Sequence, residues 1–217
     1  VWNVEINSGD PATFHARPLP DVVEPSVWWF EVQTSALVLG SSQPIDRIDT
    51  AECARRGIDV VRRRSGGGAV LLQPGDAMWV DLLLPATDER WTDDVSRSAW
   101  WLGDVWQVAL ASLGVHGLTV HRGQFVGTTW SGHVCFAGLG GGEVVQGRRK
   151  VIGISQRRTR NGARFQCALY RHWRPENHAG LFSPPAPTAA DLADLTVAVD
   201  VEPSAVHAAF AAALAAS

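Results

Sequence analysis

The sequence predicts an α+β domain, on three observations. Short apolar segments are broken repeatedly by glycine, tight-turn signals join several of them, and only a few stretches carry helical periodicity. Residues 35–42, "SALVLGSS", form an apolar run that ends in small residues, the pattern of a buried strand. In 48–58, "IDTAECARRGI", Asp49 and Thr50 suit an N-cap and Gly57 a stop, which predicts a short helix. Residues 59–85 read as strand, glycine loop, strand, a Pro74-Gly75-Asp76 turn and a further strand. Over 92–113, Val95, Leu102, Val105, Trp106, Ala109 and Leu113 recur close to helical spacing behind an acidic first turn, so a long helix is expected there. Residues 143–155 read as a hairpin turning at Gly147, and 163–170 as another strand. The prolines of "SPPAPT" (183–188) mark a linker to two small helices, "AADLADL" and "SAVHAAFAAALAA", so the expected division is a domain over 1–183 and an appendage over 184–217.

Composition limits the function classes. A chain of 217 residues, 46% hydrophobic and 19% charged, buries one sizeable core. Its longest apolar run, 205–216, is too short and Ala-rich to span a bilayer, and no basic-fronted signal peptide opens the chain, so a cytoplasmic protein with no membrane partner is expected. Cys53, Cys135 and Cys167 are widely spaced and form no CxxC, which argues against disulfides and zinc. Seven histidines make no HxxxH or HExxH, so no metal site is expected, and His121, His133 and His172 read as structural or surface groups. A net charge of −3 argues against a nucleic-acid partner, although the arginines at 62–64 and 148–149 suit a local anion site; those at 157–160 read as a solvated loop. Trp100, Trp101 and Trp106 are expected in the core, as are Cys53 and Cys167, while Trp79 or Trp130 suits the wall of a ligand tunnel.

Two segments carry chemical signals. In "RRRSGGGAV" (62–70) three glycines after a strand let backbone approach a ligand and turn N–H groups towards an anion, with Arg62 to Arg64 adding charge at the rim. The GK[ST] ending of a phosphate loop is absent, and "GLGGGE" (138–143) does not fit GxGxxG. Taken alone, the triplet is equally a flexible turn. The second segment, "GRRKVIGISQRR" (147–158), holds Lys150, the one lysine of a chain with eighteen arginines. An ammonium is a compact charge that reaches one oxygen, whereas guanidinium is a planar fork that pairs two, so a single oxygen in a tight pocket selects lysine. Strict alternation along a strand from 149 puts Lys150 with Ile152 and Ile154, opposite Val151, Gly153 and Ser155. A lysine beside a hairpin turn is ordinarily solvated.

Together, "RRRSGGGAV" and "GRRKVIGISQRR" resemble the lipoate-protein ligase and octanoyltransferase family, which is similar to the biotin-protein ligase catalytic domain. The resemblance covers about residues 35–175 and implies a central mixed β-sheet flanked by helices. It implies a substrate site at Arg63, Ser65, Gly66, Gly67, Gly68, Ala69, Val70, Gly153 and Ser155, with Lys150 holding the reacting carbonyl. A ligase of this kind uses ATP and Mg²⁺ to make an acyl-AMP from lipoate or octanoate and transfers the acyl group to a lysine of an apo lipoyl domain, in 2-oxoacid dehydrogenases or the glycine cleavage H protein. Some octanoyltransferases of the family carry a cysteine nucleophile in a "CF" context upstream of the lysine, as Cys135 stands here; these take octanoate from acyl carrier protein and need no cofactor. A free cysteine is also commonly a buried apolar residue.

The chain departs from the family in two ways. Where many relatives carry a His-Asp pair and then Gly-Asn, it has Leu72, Gln73, Gly75 and Asp76. Only about thirty residues follow the proline linker, which implies a short form without the C-terminal accessory domain. The altered segment also leaves room for a non-catalytic relative that binds lipoate.

Overall fold

The computed structural model describes residues 1–217. The strands and helices are β1 (Asn3–Gly9), α1 (Pro11–Ala16), β2 (Ser26–Val32), β3 (Ala36–Leu39), α2 (Thr50–Arg55), β4 (Asp59–Arg62), β5 (Val70–Leu72), β6 (Ala77–Pro85), α3 (Trp100–Ser112), β7 (Leu118–Val120), β8 (Val144–Gln146), β9 (Arg149–Thr159), β10 (Gly162–Tyr170), α4 (Pro175–His178), α5 (Ala189–Leu192) and α6 (Pro203–Ala215). Seven strands form one mixed sheet in the order β1-β2-β6-β10-β9-β8-β7, and β4-β3-β5 form a second. In the large sheet β1 runs parallel to β2, and the other pairings are antiparallel. No helix is long and apolar enough to cross a membrane.

The period of two along β6 explains why its sequence is almost wholly apolar. Met78, Val80, Leu82 and Leu84 enter a core shared with α3 and α6, while Ala77, Trp79 and Leu83 enter a second core beneath the small sheet. A strand covered on both faces has no solvent side to make polar. Asp81 interrupts the run and is fully buried, ion-paired with Arg164 and accepting 2.7 Å from Trp79 Nε1. Breaking such a pair costs far more than making it contributes, because the remaining charge stays buried.

Several expectations are corrected. The long helix begins at Trp100 rather than 92, because Ser96 N donates to Asp94 Oδ1 and Asp94 N to Thr92 Oγ1, a side-chain alternative to helical pairing that leaves Val95 exposed. Of the three tryptophans on that helix only Trp106 is fully buried; Trp100 and Trp101 are half-buried. Arg158 is not simply solvated, since its guanidinium lies 3.9 Å from the Trp91 ring centroid. Residues 184–217 are no separate appendage. Leu192 joins the core beneath the small sheet, Val199, Val206 and Phe210 join the core under α3, and Val197 N donates to Lys150 O at 3.0 Å. The prolines bend the chain, but apolar burial returns it to the sheet.

Burial also sets a pH dependence. His178 is 3% exposed, with Tyr170 Oη 3.1 Å from Nε2, and burial holds its pKa down at about 4. The native state therefore keeps it neutral while the unfolded chain takes up a proton below about 6.5. Its contribution is complete above that pH and is lost as pH falls towards 4. Denaturant unfolding should show about 2 kcal/mol of this loss between pH 7 and pH 5, absent from His178→Asn.

Candidate active site

The glycine loop is shaped from beneath by a buried arginine. Arg63 is 1% exposed, and its guanidinium donates to Ser65 Oγ (3.0 Å), Val38 O (3.0 Å), Gly66 O (2.7 Å) and Gly68 O (2.9 Å). Burial pulls its pKa below the ordinary arginine value, opposed by the neighbouring Cys135, Glu143 and Asp81. It holds the loop carbonyls inward, and none of the three glycine N–H groups donates within the protein. Gly67 has a φ of +99°, a conformation that side chains rarely adopt.

The opposite wall comes from 133–143. Ala69 N donates to His133 O (2.8 Å) and Cys135 N to Ala69 O (2.9 Å), so Ala69 serves to pin this segment beside the loop. The pinning brings Cys135 close, with Sγ 3.8 Å from where a Cβ on Gly67 would stand. Across the pocket Lys150 Nζ donates to Cys135 O at 2.8 Å and pairs with Glu143 Oε2 at 2.7 Å. Both side chains are nearly inaccessible, 3% for Lys150 and 4% for Glu143. The Glu143 carboxylate is itself held, accepting from Gly140 N (2.7 Å) and Ile154 N (3.0 Å). Two of the three ammonium N–H bonds are thus spoken for, leaving one for a ligand.

Lys150 does not share a face with Ile152 and Ile154 as strict alternation predicts. Pairing of β9 with β8 slips, so that Val144 lies opposite Ile152 and Val145 opposite Lys150. The extra residue, Val151, joins Ile152 in the core under α3, and Lys150 turns to the side of Gly153 and Ser155.

These residues enclose a pocket of about 340 Å³, lined by Gly66, Gly67, Gly68, Cys135, Glu143, Lys150 and Ser155 among others, with few apolar walls. A recess of about 10 Å³ lies behind it, lined by Arg63, Val70, Trp79, Gly153 and Gln166 and reached by Cys135 and Ser155. Ser65 Oγ lies 2.9 Å from Ser155 Oγ and donates to Gln166 Oε1 (2.6 Å), whose amide donates on to Asp81 (3.2 Å). A cleft of about 320 Å³, lined also by Arg47, shares Gly67, Phe125 and Ser131 with the pocket. A larger apolar cavity of about 870 Å³ lies between β1 and α6 and shares no lining residue with the pocket or the recess.

Most of the predicted site residues therefore converge. Lys150, Cys135, Gly66 to Gly68 and Ser155 line the pocket; Arg63, Val70 and Gly153 line the recess; Ser65 and Ala69 are buried supports. Trp79 borders the recess, whereas Trp130 packs on His133 instead. Glu143 and Gln166 escape sequence reasoning, because a counter-charge for Lys150 is called for only once its burial is known.

Residues 16–197 match the family model described as the lipoyl protein ligase A/B catalytic domain. The chain belongs to that family. The chain is similar in fold to lipoate-protein ligase A bound with ATP, at 15% identity and a TM-score of 0.72, covering 99% of this chain and 83% of that one. It is similar too to the bipartite lipoate-protein ligase of Thermoplasma acidophilum, studied with its E2 lipoyl domain, at 15% identity and a TM-score of 0.72 over 99% and 82% of the two chains. A third likeness is P. falciparum LipL1 in complex with lipoate, at 11% identity and a TM-score of 0.67 over 100% and 62%. No curated protein sequence matches it.

Proposed function

We propose that the protein transfers an activated lipoyl or octanoyl group to the lysine of an apo lipoyl domain, at the pocket between the glycine loop and Lys150. The observation that carries this reading is a buried lysine with one N–H left over, lining the same open pocket as three glycines whose amides are unpaired within the protein. Such donors stabilise negative charge on a carbonyl oxygen as an amine attacks it. Structural neighbours bound to ATP or lipoate, or studied with a lipoyl domain, support the substrate classes.

In the ligase reading ATP supplies activation, turning the acyl carboxylate into acyl-AMP with loss of pyrophosphate. The chain then holds the carbonyl oxygen at Lys150, presents loop amides to the phosphate, and offers Arg47 in the wall of the adjoining cleft. The acceptor amine forms the amide bond, AMP departs with the electron pair of the broken C–O bond, and the amine proton passes to solvent. Magnesium, when bound with ATP, would neutralise charge on its phosphates.

One observation favours a second reading. Leu72 is buried, Gln73 Oε1 accepts from Asn177, Asp76 pairs with Arg174, and none of these lines the pocket, whereas Cys135 lines both pocket and recess. In that reading the Cys135 thiolate displaces the carrier-protein thiol from octanoyl carrier protein, and the acceptor amine then displaces Cys135. Incubation with an apo lipoyl domain, plus either lipoate, ATP and Mg²⁺ or octanoyl carrier protein, separates the two by mass. The ligase modifies the domain only with ATP. A Cys135 adduct that chases onto the domain and vanishes in Cys135→Ser establishes the transferase. Lipoate binding with no product from either donor would mark a non-catalytic binder.

A further inference from the structure

We propose that Glu143 keeps Lys150 protonated and thereby protects it from being acylated by the substrate it holds. This rests on the pocket's proposed acyl-transfer function. Under that function two amines approach one activated carbonyl, that of the acceptor and that of Lys150, and they are chemically the same group. Only protonation distinguishes the one that must attack from the one that must not. Arginine would escape the hazard because it never gives up its proton, but its fork does not suit a single oxygen. Lysine fits and carries the risk.

The geometry supplies the remedy. Burial favours a neutral amine, and Lys150 is 3% exposed. The carboxylate 2.7 Å from Nζ opposes that tendency, and it is fixed in place by hydrogen bonds from Gly140 N and Ile154 N. The other ionisable groups around the pocket are the Cys135 thiol in its wall, Arg63 in the recess behind and, beyond Gln166, Asp81, which is paired with Arg164. Arg63 is cationic and works against a second positive charge, so Glu143 is the anion on which the ammonium depends. Without it, the neutral Lys150 amine would attack the bound acyl-AMP. An amide would form at Nζ, the bond from the acyl carbon to the phosphate oxygen would break, AMP would leave with the electron pair, and the proton would pass to solvent.

The single lysine makes the test clean. N-hydroxysuccinimidyl acetate at pH 8 should acetylate Lys150 of Glu143→Gln at least tenfold faster than that of the native protein, with the α-amino group of the same sample as reference and peptide masses as the readout. Glu143→Asp, which keeps the charge, should stay near the native rate. Equal rates in native protein and folded Glu143→Gln would overturn the proposal, and this reagent gives its answer even if no lipoyl transfer occurs. Supplied lipoyl-AMP should likewise leave a thiol-resistant lipoyl adduct on Lys150 in Glu143→Gln alone. Should that variant not fold, ¹⁵N-lysine labelling of the native protein yields one side-chain resonance; an ammonium signal at pH 8 supports the proposal, and a neutral amine signal refutes it.

Discussion

Lys150→Arg should abolish acyl transfer to an apo lipoyl domain, with kcat falling by about 10²–10³-fold or more while the fold survives. The substitution keeps the positive charge and its attraction to Glu143. What it removes is a compact donor wedged between Cys135 O, the Glu143 carboxylate and the Phe136 ring, whose centroid lies 5.4 Å from Nζ. A planar guanidinium at that depth either displaces the Cys135 carbonyl or fills the space the substrate oxygen needs. Single-turnover rates read by mass, beside near-UV circular dichroism, separate lost chemistry from lost structure. Near-native turnover would remove Lys150 from the mechanism.

Gly68→Ala should be destabilising and should empty the pocket of ligand, whereas Gly66→Ala should do little. A Cβ on Gly68 would stand 2.7 Å from Val134 C, 2.8 Å from Cys135 N and 2.8 Å from Ser131 O, all main-chain atoms that cannot rotate aside. Residues 131–135 would have to move, carrying Cys135 and the carbonyl that accepts from Lys150. Overpacking of this kind costs about 1–3 kcal/mol. Gly66, two residues earlier in the same loop, has nothing within 4 Å of its Cβ position and a φ open to other residues, so its replacement should stay within about 0.5 kcal/mol. Denaturant midpoints and calorimetric lipoate affinity for the pair check both statements. A Gly68→Ala protein as stable and as well liganded as Gly66→Ala would show that the loop's close approach to 131–135 is unimportant.

The parts of the fold that could be read locally are those whose signal is local. The β4–β5–β6 run was legible because glycine, proline and aspartate punctuate it, and Gly75 does take the positive φ of a turn, +79°. The first thirty-four residues offered less. β1, "NVEINSG", is a largely exposed edge strand of mixed polarity, and the apolar run "SVWWFEV" of β2 is buried on both faces, so neither has a telling period. The false start of α3 at 92 came from acidic residues that suit a helix N-terminus and equally suit the side-chain turns they make.

The sequence by itself determined that three glycines would expose backbone amides and that one lysine would stand alone among arginines, since both are properties of residue type. Tertiary structure decided where that lysine points. Side chains alternate with a period of two, so one bulged residue reverses every assignment beyond it, and whether Val151 bulges depends on its pairing with β8 and on the chain near Thr196. The same folding back of 138–143 onto β9 places Glu143 against Lys150, seven residues apart in sequence. A counter-charge acts through distance in space, and the spacing of residues along a chain does not report it.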